Sequence, residues 1–171
     1  WRRRSSDHKL DRLEAGGARR DLVQDVASLR MVVLSDMHRG TGADASDDFR
    51  ESSATYVRAL EHYFAEGYDL VALGDCEELW EAPWAPIRDA YPAVYAQERR
   101  FLDAGRYIRV YGNHDINWQT EALVAAGLRE ALPGVDVHEG VFISVTDGGR
   151  SIGSIVLVHG HQGTILSDYF S

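Results

Sequence analysis

Hydrophobic and polar positions along this chain alternate between two textures. From Met31 onward, short continuous apolar runs end abruptly in polar residues: MVVLSD at 31–36, DLVALGD at 69–75 and YIRVYGNHD at 107–115. A run of that length, polar only at its carboxyl end, is the pattern of a strand buried on both faces. Helical segments lie between and after them. Phe49 to Glu66 carries Tyr56, Leu60 and Phe64 on one face, with Asp47 or Asp48 as N-cap and Gly67 as stop, and further helices are predicted from Ile87 to Ala104 and from Thr120 to Leu132. VDVHEGVFISVTDG and RSIGSIVLVHG are β in texture and are joined by an Asp-Gly-Gly turn. Before Leu29 the chain is polar and basic, with a modest helical pattern in Leu10, Leu13, Leu22, Val23, Val26 and Leu29. Residues 1–29 therefore read as a partly ordered lead-in to one domain over 30–171. Strand–helix alternation predicts an α/β domain with a largely parallel sheet.

Composition narrows the partners. With 171 residues, 44% of them hydrophobic, the chain is long enough for one sizeable core. Lysine and arginine total 18 against 27 acids, a formal charge of −9, so a nucleic-acid backbone would be repelled over most of the surface. The single cysteine, Cys76, cannot form an internal disulfide, and no apolar run approaches the roughly 18 residues that would cross a bilayer. The expectation is a cytoplasmic protein with no membrane span.

The chemistry sits at the strand ends. In open α/β sheets ligands bind beyond the carboxyl ends of the strands. Here those ends carry Ser35, Asp36, Met37 and His38; Gly74 and Asp75; Gly112, Asn113, His114 and Asp115; and His159, Gly160 and His161. Any one of them could be a helix cap or a polar rim residue. Together they would converge Asp36 and Asp75 in one crevice, which like-charge repulsion opposes unless protons or cations neutralise the pair. A divalent metal does so. Carboxylate, imidazole and amide donors without a thiolate set suit manganese, iron, zinc or magnesium. If two ions lie about 3.5–4 Å apart, one carboxylate must bridge them. Asp75 is the natural bridge.

The ordered series SDMH, GDCEE, GNHD and VHGH resembles the motifs of the calcineurin-like metallophosphoesterase family, spanning Asp36 to His161. The resemblance implies a four-layer β-sandwich flanked by helices. It also implies hydrolysis of a phosphate monoester, diester or pyrophosphate by a metal-activated water, with two divalent ions as cofactors. Asp36 and His38 would be ligands of the first metal, Asp75 the bridge, and Asn113 and His159 ligands of the second. His114 would be the catalytic histidine, with Asp115 holding its ring, and Glu78 occupies the acidic position of the second motif. The family's closing Gly-His-x-His is not clearly present. His159 then reads as an earlier single histidine, His161 as a further ligand or a substrate-side group, and the C-terminal part of the fold as absent. Missing cover would be supplied by further chain or by a homo-oligomeric contact. A noncatalytic scaffold that keeps the fold is the alternative.

Other patterns carry less. GRSIG at 149–153 has the Gly-x-Ser-x-Gly spacing of a nucleophile elbow, but it joins two β runs where the elbow requires strand, turn, helix. Asp44, Asp47 and Asp48 lack the glycine and glutamate of a calcium loop. His8, His62 and His138 have no motif around them. Trp80, Trp84, Tyr91 and Tyr95 read as packing a helix, with a substrate entrance as the alternative for Trp80 and Trp84.

Overall fold

The computed structural model describes residues 19–43 and 47–160. Met31–Leu34 (β2), Asp69–Leu73 (β3), Tyr107–Val110 (β4) and Val137–His138 (β5) form a parallel sheet in the order β2-β3-β4-β5. A second sheet, ordered β1-β6-β7, contains Arg19–Asp25 (β1), Gly140–Asp147 (β6) and Arg150–Val158 (β7). In it β1 runs parallel to β6 and β7 antiparallel to it. Among the described residues there are four α-helices: Phe49–Ala65 (α1), Trp84–Ala90 (α2), Pro92–Asp103 (α3) and Glu121–Ala126 (α4). The chain is thus α/β with two sheets.

Side-chain alternation along the parallel strands explains how the layers stack. Leu70 joins Leu60 of α1 and Phe101 of α3 in a fully buried cluster, and Ala72 joins the cluster that contains Val94 and Tyr95 of α3. Val110, with Leu73, Ile108 and Met31, packs instead against Val141, Ile143 and Val145 of β6. One face of the parallel sheet therefore meets helices and the other meets the second sheet. No helix among the described residues is long and apolar enough to cross a membrane.

Four expectations change. Residues 19–25 form a strand rather than part of a helical lead-in, because β6 offers them a parallel partner from Gly140 to Thr146. The helix expected over 87–104 breaks at Tyr91, whose φ of −126° and ψ of 48° lie outside the helical region as the residue before a proline demands. The helix expected over 120–132 is short, ending at Gly127 and followed by a 3₁₀ turn over Leu128–Glu130. The β run at 135–148 divides at Glu139, giving β5 to one sheet and β6 to the other. The Gly148–Gly149 turn closes β6 onto β7 with positive φ at both glycines, so Ser151 lies in an antiparallel hairpin and no nucleophile elbow exists there.

Candidate metal centre

Three turns at the carboxyl ends of β2, β3 and β4 are stitched together through their backbones. Asp36 N–H donates to Gly74 O, His38 N–H to Asp75 O, Arg39 N–H to Cys76 O and Leu79 N–H to His114 O. The backbone is strained where the polar side chains emerge: Asp36, His38 and Asp75 have φ of 56°, 46° and 50°, the left-handed region that non-glycine residues seldom occupy. Gly112 makes the approach possible, since a Cβ there would come within 2.1 Å of Asp75 Oδ1. Gly74, at φ 78°, does the same for the His159 ring.

Asp75 stands at the middle of the arrangement, 3% exposed. Its Oδ1 accepts the His114 backbone N–H at 2.8 Å. Its Oδ2 lies 3.0 Å from His159 Nε2 and 3.8 Å from His38 Nε2. His159 Nδ1 is 2.9 Å from the Leu73 carbonyl, which takes the Nδ1 proton and leaves Nε2 to face Asp75. Burial alone would raise the Asp75 carboxyl and lower the His159 imidazole. Burial is the largest single effect on each, but the hydrogen bond between them, the His114 N–H and Leu73 carbonyl bonds and the neighbouring charges together exceed it, so Asp75 is held below the ordinary aspartate range and His159 is raised to about 9.

Glu78 serves two imidazoles at once. Its Oε2 is 2.9 Å from His38 Nδ1, and His114 Nδ1 is 2.8 Å from Oε1 and 2.7 Å from Oε2. A carboxylate on Nδ1 fixes the tautomer whose Nε2 carries the lone pair, the usual outer support of a metal-binding histidine. The His38 and His114 rings meet edge to face with centroids 4.5 Å apart, and Trp80 stacks on His114 at 3.9 Å while remaining 60% exposed.

Two groups of ligand atoms, each within 4.8 Å of one another, result: His38, Asp75 and His114, and Asp36, Asp75 and His159. Oxygen and imidazole donors at that spacing fit a divalent ion about 2.0–2.2 Å from each. Both groups contain Asp75. Their partition differs from the expected one, which paired Asp36 with His38 and kept His114 for the substrate. Asn113 is half-buried in the 112–115 turn. His161 and Asp44 lie outside the described residues.

The role expected of Asp115 is corrected. Its carboxylate does not hold the His114 ring, which Glu78 engages instead. Asp115 is fully buried, accepting Cys76 N–H and Arg109 Nη2 at Oδ2 and Asp75 N–H and Gly112 N–H at Oδ1. It belongs to an ionic cluster that sequence reasoning missed. Arg109 reaches both Asp115 and Glu77; Arg39 reaches Glu77 and Glu98; and all five side chains are inaccessible. Trp118, Tyr95, Tyr56 and Tyr107 complete it as donors, the first two to Glu77 and the last two to Glu98. Each turn thus sends one residue to the open centre and its neighbour inward: His38 and Arg39, Glu78 and Glu77, His114 and Asp115. The available signal was Arg109, a charged residue in the middle of the apolar strand YIRV.

Comparison with protein-family models, curated proteins and solved structures finds no match to this chain.

Proposed function

We propose that this chain is a metal-dependent phosphoesterase. The observation that carries the reading is Asp75, one buried carboxylate common to two groups of candidate ligands. Asp36 and His159 on one side, and His38 with or without His114 on the other, would complete the sites, with Asn113 beside them. Divalent ions, when bound, supply Lewis acidity toward a phosphoryl group and lower the pKa of water.

The chain's own residues do the rest. Glu78 holds the His38 and His114 rings by Nδ1, so His114 Nε2 is turned toward the substrate side, where it can hold or deliver a proton to the leaving oxygen. Trp80 covers one face of that ring and shields it from water. A proton donor placed in this way contributes roughly 10²–10⁴-fold. The test is phosphate release from an aryl phosphate with manganese, magnesium or zinc supplied in turn. Metal-dependent turnover that falls by that factor in His114→Ala is expected. Bound metal with no turnover of any mono- or diester would leave a noncatalytic scaffold in its place.

A further inference from the structure

Two of the three described tryptophans are accounted for by packing. Trp84 donates its indole N–H to Glu130 at 3.2 Å, Trp118 donates its own to Glu77 at 2.9 Å, and the two rings meet edge to face with centroids 5.4 Å apart. Trp80 is different. Among the described residues it makes no hydrogen bond, and its ring neighbour is His114, on which it stacks at 3.9 Å with 27° between the planes. That contact covers one face of the indole. Since 60% of the residue is still exposed, the opposite face is open.

The open face has a fixed place relative to the centre. Leu79 N–H donates to His114 O at 3.1 Å and Ala82 N–H to Glu78 O at 3.2 Å, so the turn that carries Trp80 is tied to the centre on both sides. A leaving oxygen that takes its proton from His114 Nε2 lies at the edge of the stacked pair, and the group bonded to that oxygen can fold over the indole. A ring in contact with the outer face sits about 3.5–4 Å beyond the indole, and hence about 7–8 Å from the imidazole. With bonds of about 1.5 Å, a ring bonded directly to the ester oxygen falls short, whereas one carried on about two or three carbons reaches.

We propose that Trp80 is a specificity-determining residue whose outer face stacks a planar aromatic ring joined to the ester oxygen through a short aliphatic spacer. The proposal rests on the phosphoesterase reading. Hydrolysis adds water at phosphorus and breaks the ester P–O bond; the departing oxygen takes the His114 proton, and the products are inorganic phosphate and a free arylalkyl alcohol.

The test compares 3-phenylpropyl phosphate with 3-cyclohexylpropyl phosphate at one manganese concentration, by phosphate release. The two esters share a spacer and differ in whether the ring is flat. Wild type is expected to favour the phenyl ester by about 2- to 10-fold in kcat/KM, the preference of an aromatic pair beyond its buried area. In Trp80→Leu that ratio should fall toward unity, and in Trp80→Phe most of it should return. A ratio is read because any loss from uncovering His114 cancels in it. Equal rates in wild type, or a ratio unchanged in Trp80→Leu, overturn the proposal. So does an equal preference for benzyl over cyclohexylmethyl phosphate, which would put the ring against the edge of the indole. Saturation-transfer NMR with 3-phenylpropanol on the metal-free chain separates the site from the reading beneath it. Binding that Trp80→Leu abolishes and Trp80→Phe keeps upholds the stacking face, even if no ester is hydrolysed and the phosphoesterase reading falls. No binding, or binding that Trp80→Leu leaves intact, overturns it whatever the ester rates.

Discussion

Glu77 and Asp115, with Glu98 of α3, are met by Arg39, Arg109 and four aromatic donors; Asp36, Asp75 and Glu78, on the turns that carry Arg39 and Glu77, are met by imidazoles. The first cluster is inaccessible and carries its own cations at short range. The second opens outward, with the Asp36 side chain 59% exposed, and has no arginine or lysine among its partners in the described residues. Burial opposes ionisation of Glu77, yet Arg109 and Arg39 together hold it below the ordinary glutamate range. Closed charge holds the three turns in one arrangement; open charge leaves a place for an ion from outside. Closed and open charge are thereby divided between adjacent residues such as Glu77 and Glu78.

The comparison breaks most readily from its closed side. Arg109→Met leaves Glu77 and Asp115 without their shared cation, and a loss of about 3–5 kcal/mol is expected in denaturant unfolding. A loss below about 1 kcal/mol would mean that water enters the cluster.

On the open side, Asp75→Asn should reduce the affinity for both ions by more than the roughly 10- to 100-fold that removal of an outer partner costs. It should disturb metal-free unfolding less than Arg109→Met does. Elemental analysis after dialysis reads the first effect. Loss of both metals from Asp36→Asn with neither lost from Asp75→Asn would place the bridge elsewhere.

Glu78→Gln comes next. Only one oxygen remains to accept from two Nδ1–H groups, so metal affinity or turnover should fall by about 10- to 100-fold. Retention of both would show that the His38 and His114 rings are set by Trp80 and the backbone alone.

The mildest effect is on pH. His159 is raised to about 9, so its contact with Asp75 contributes stability that is fully present below the ordinary histidine value and is lost as pH rises through about 9. Asp75 is lowered, so its contribution holds above the ordinary aspartate value and is lost as pH falls through the depressed one. Metal binding runs the other way at the alkaline end. An ion must displace the His159 proton, so affinity should rise by up to about tenfold per pH unit and level off near 9. Calorimetric titrations at several pH values, in buffers of different protonation enthalpy, read that proton directly. An affinity flat between neutral pH and 9 would remove His159 from the ligands.

Much of this centre was legible because its residues terminate apolar strands. SDMH, GD and GNHD each announce a strand end, and parallel topology brings those ends together whatever the loops do. The supporting cluster was not legible. Arg39 lies 38 residues from Glu77 and 59 from Glu98 in sequence, and charged side chains at such separations read as surface until the fold buries them. The Asp115 reassignment has the same cause: within GNHD nothing indicates that alternate residues face opposite sides of the turn. Strand β1 was missed because its apolar residues, Leu22 and Val23, are adjacent and fit a helical face as readily as a strand edge. Only the partner β6 decides between them.

That pairing has a consequence for how the molecule is made. Asp25 and Thr146 are 121 residues apart in sequence, whereas β6 and β7 are joined by a tight turn. The hairpin can form locally in microseconds, but β1 must wait for nearly all of the intervening chain before its hydrogen-bond partner exists. Its parallel register then closes the longest strand-pairing loop among the described residues. The last event of folding should therefore be the docking of an early-synthesised strand onto a late one, visible as a slow recovery of amide protection confined to 19–25 and 140–146. Until it occurs, Val141, Ile143 and Val145 of β6 lack the neighbour that completes their sheet, and a chaperone that recognises apolar strand edges would find its target there.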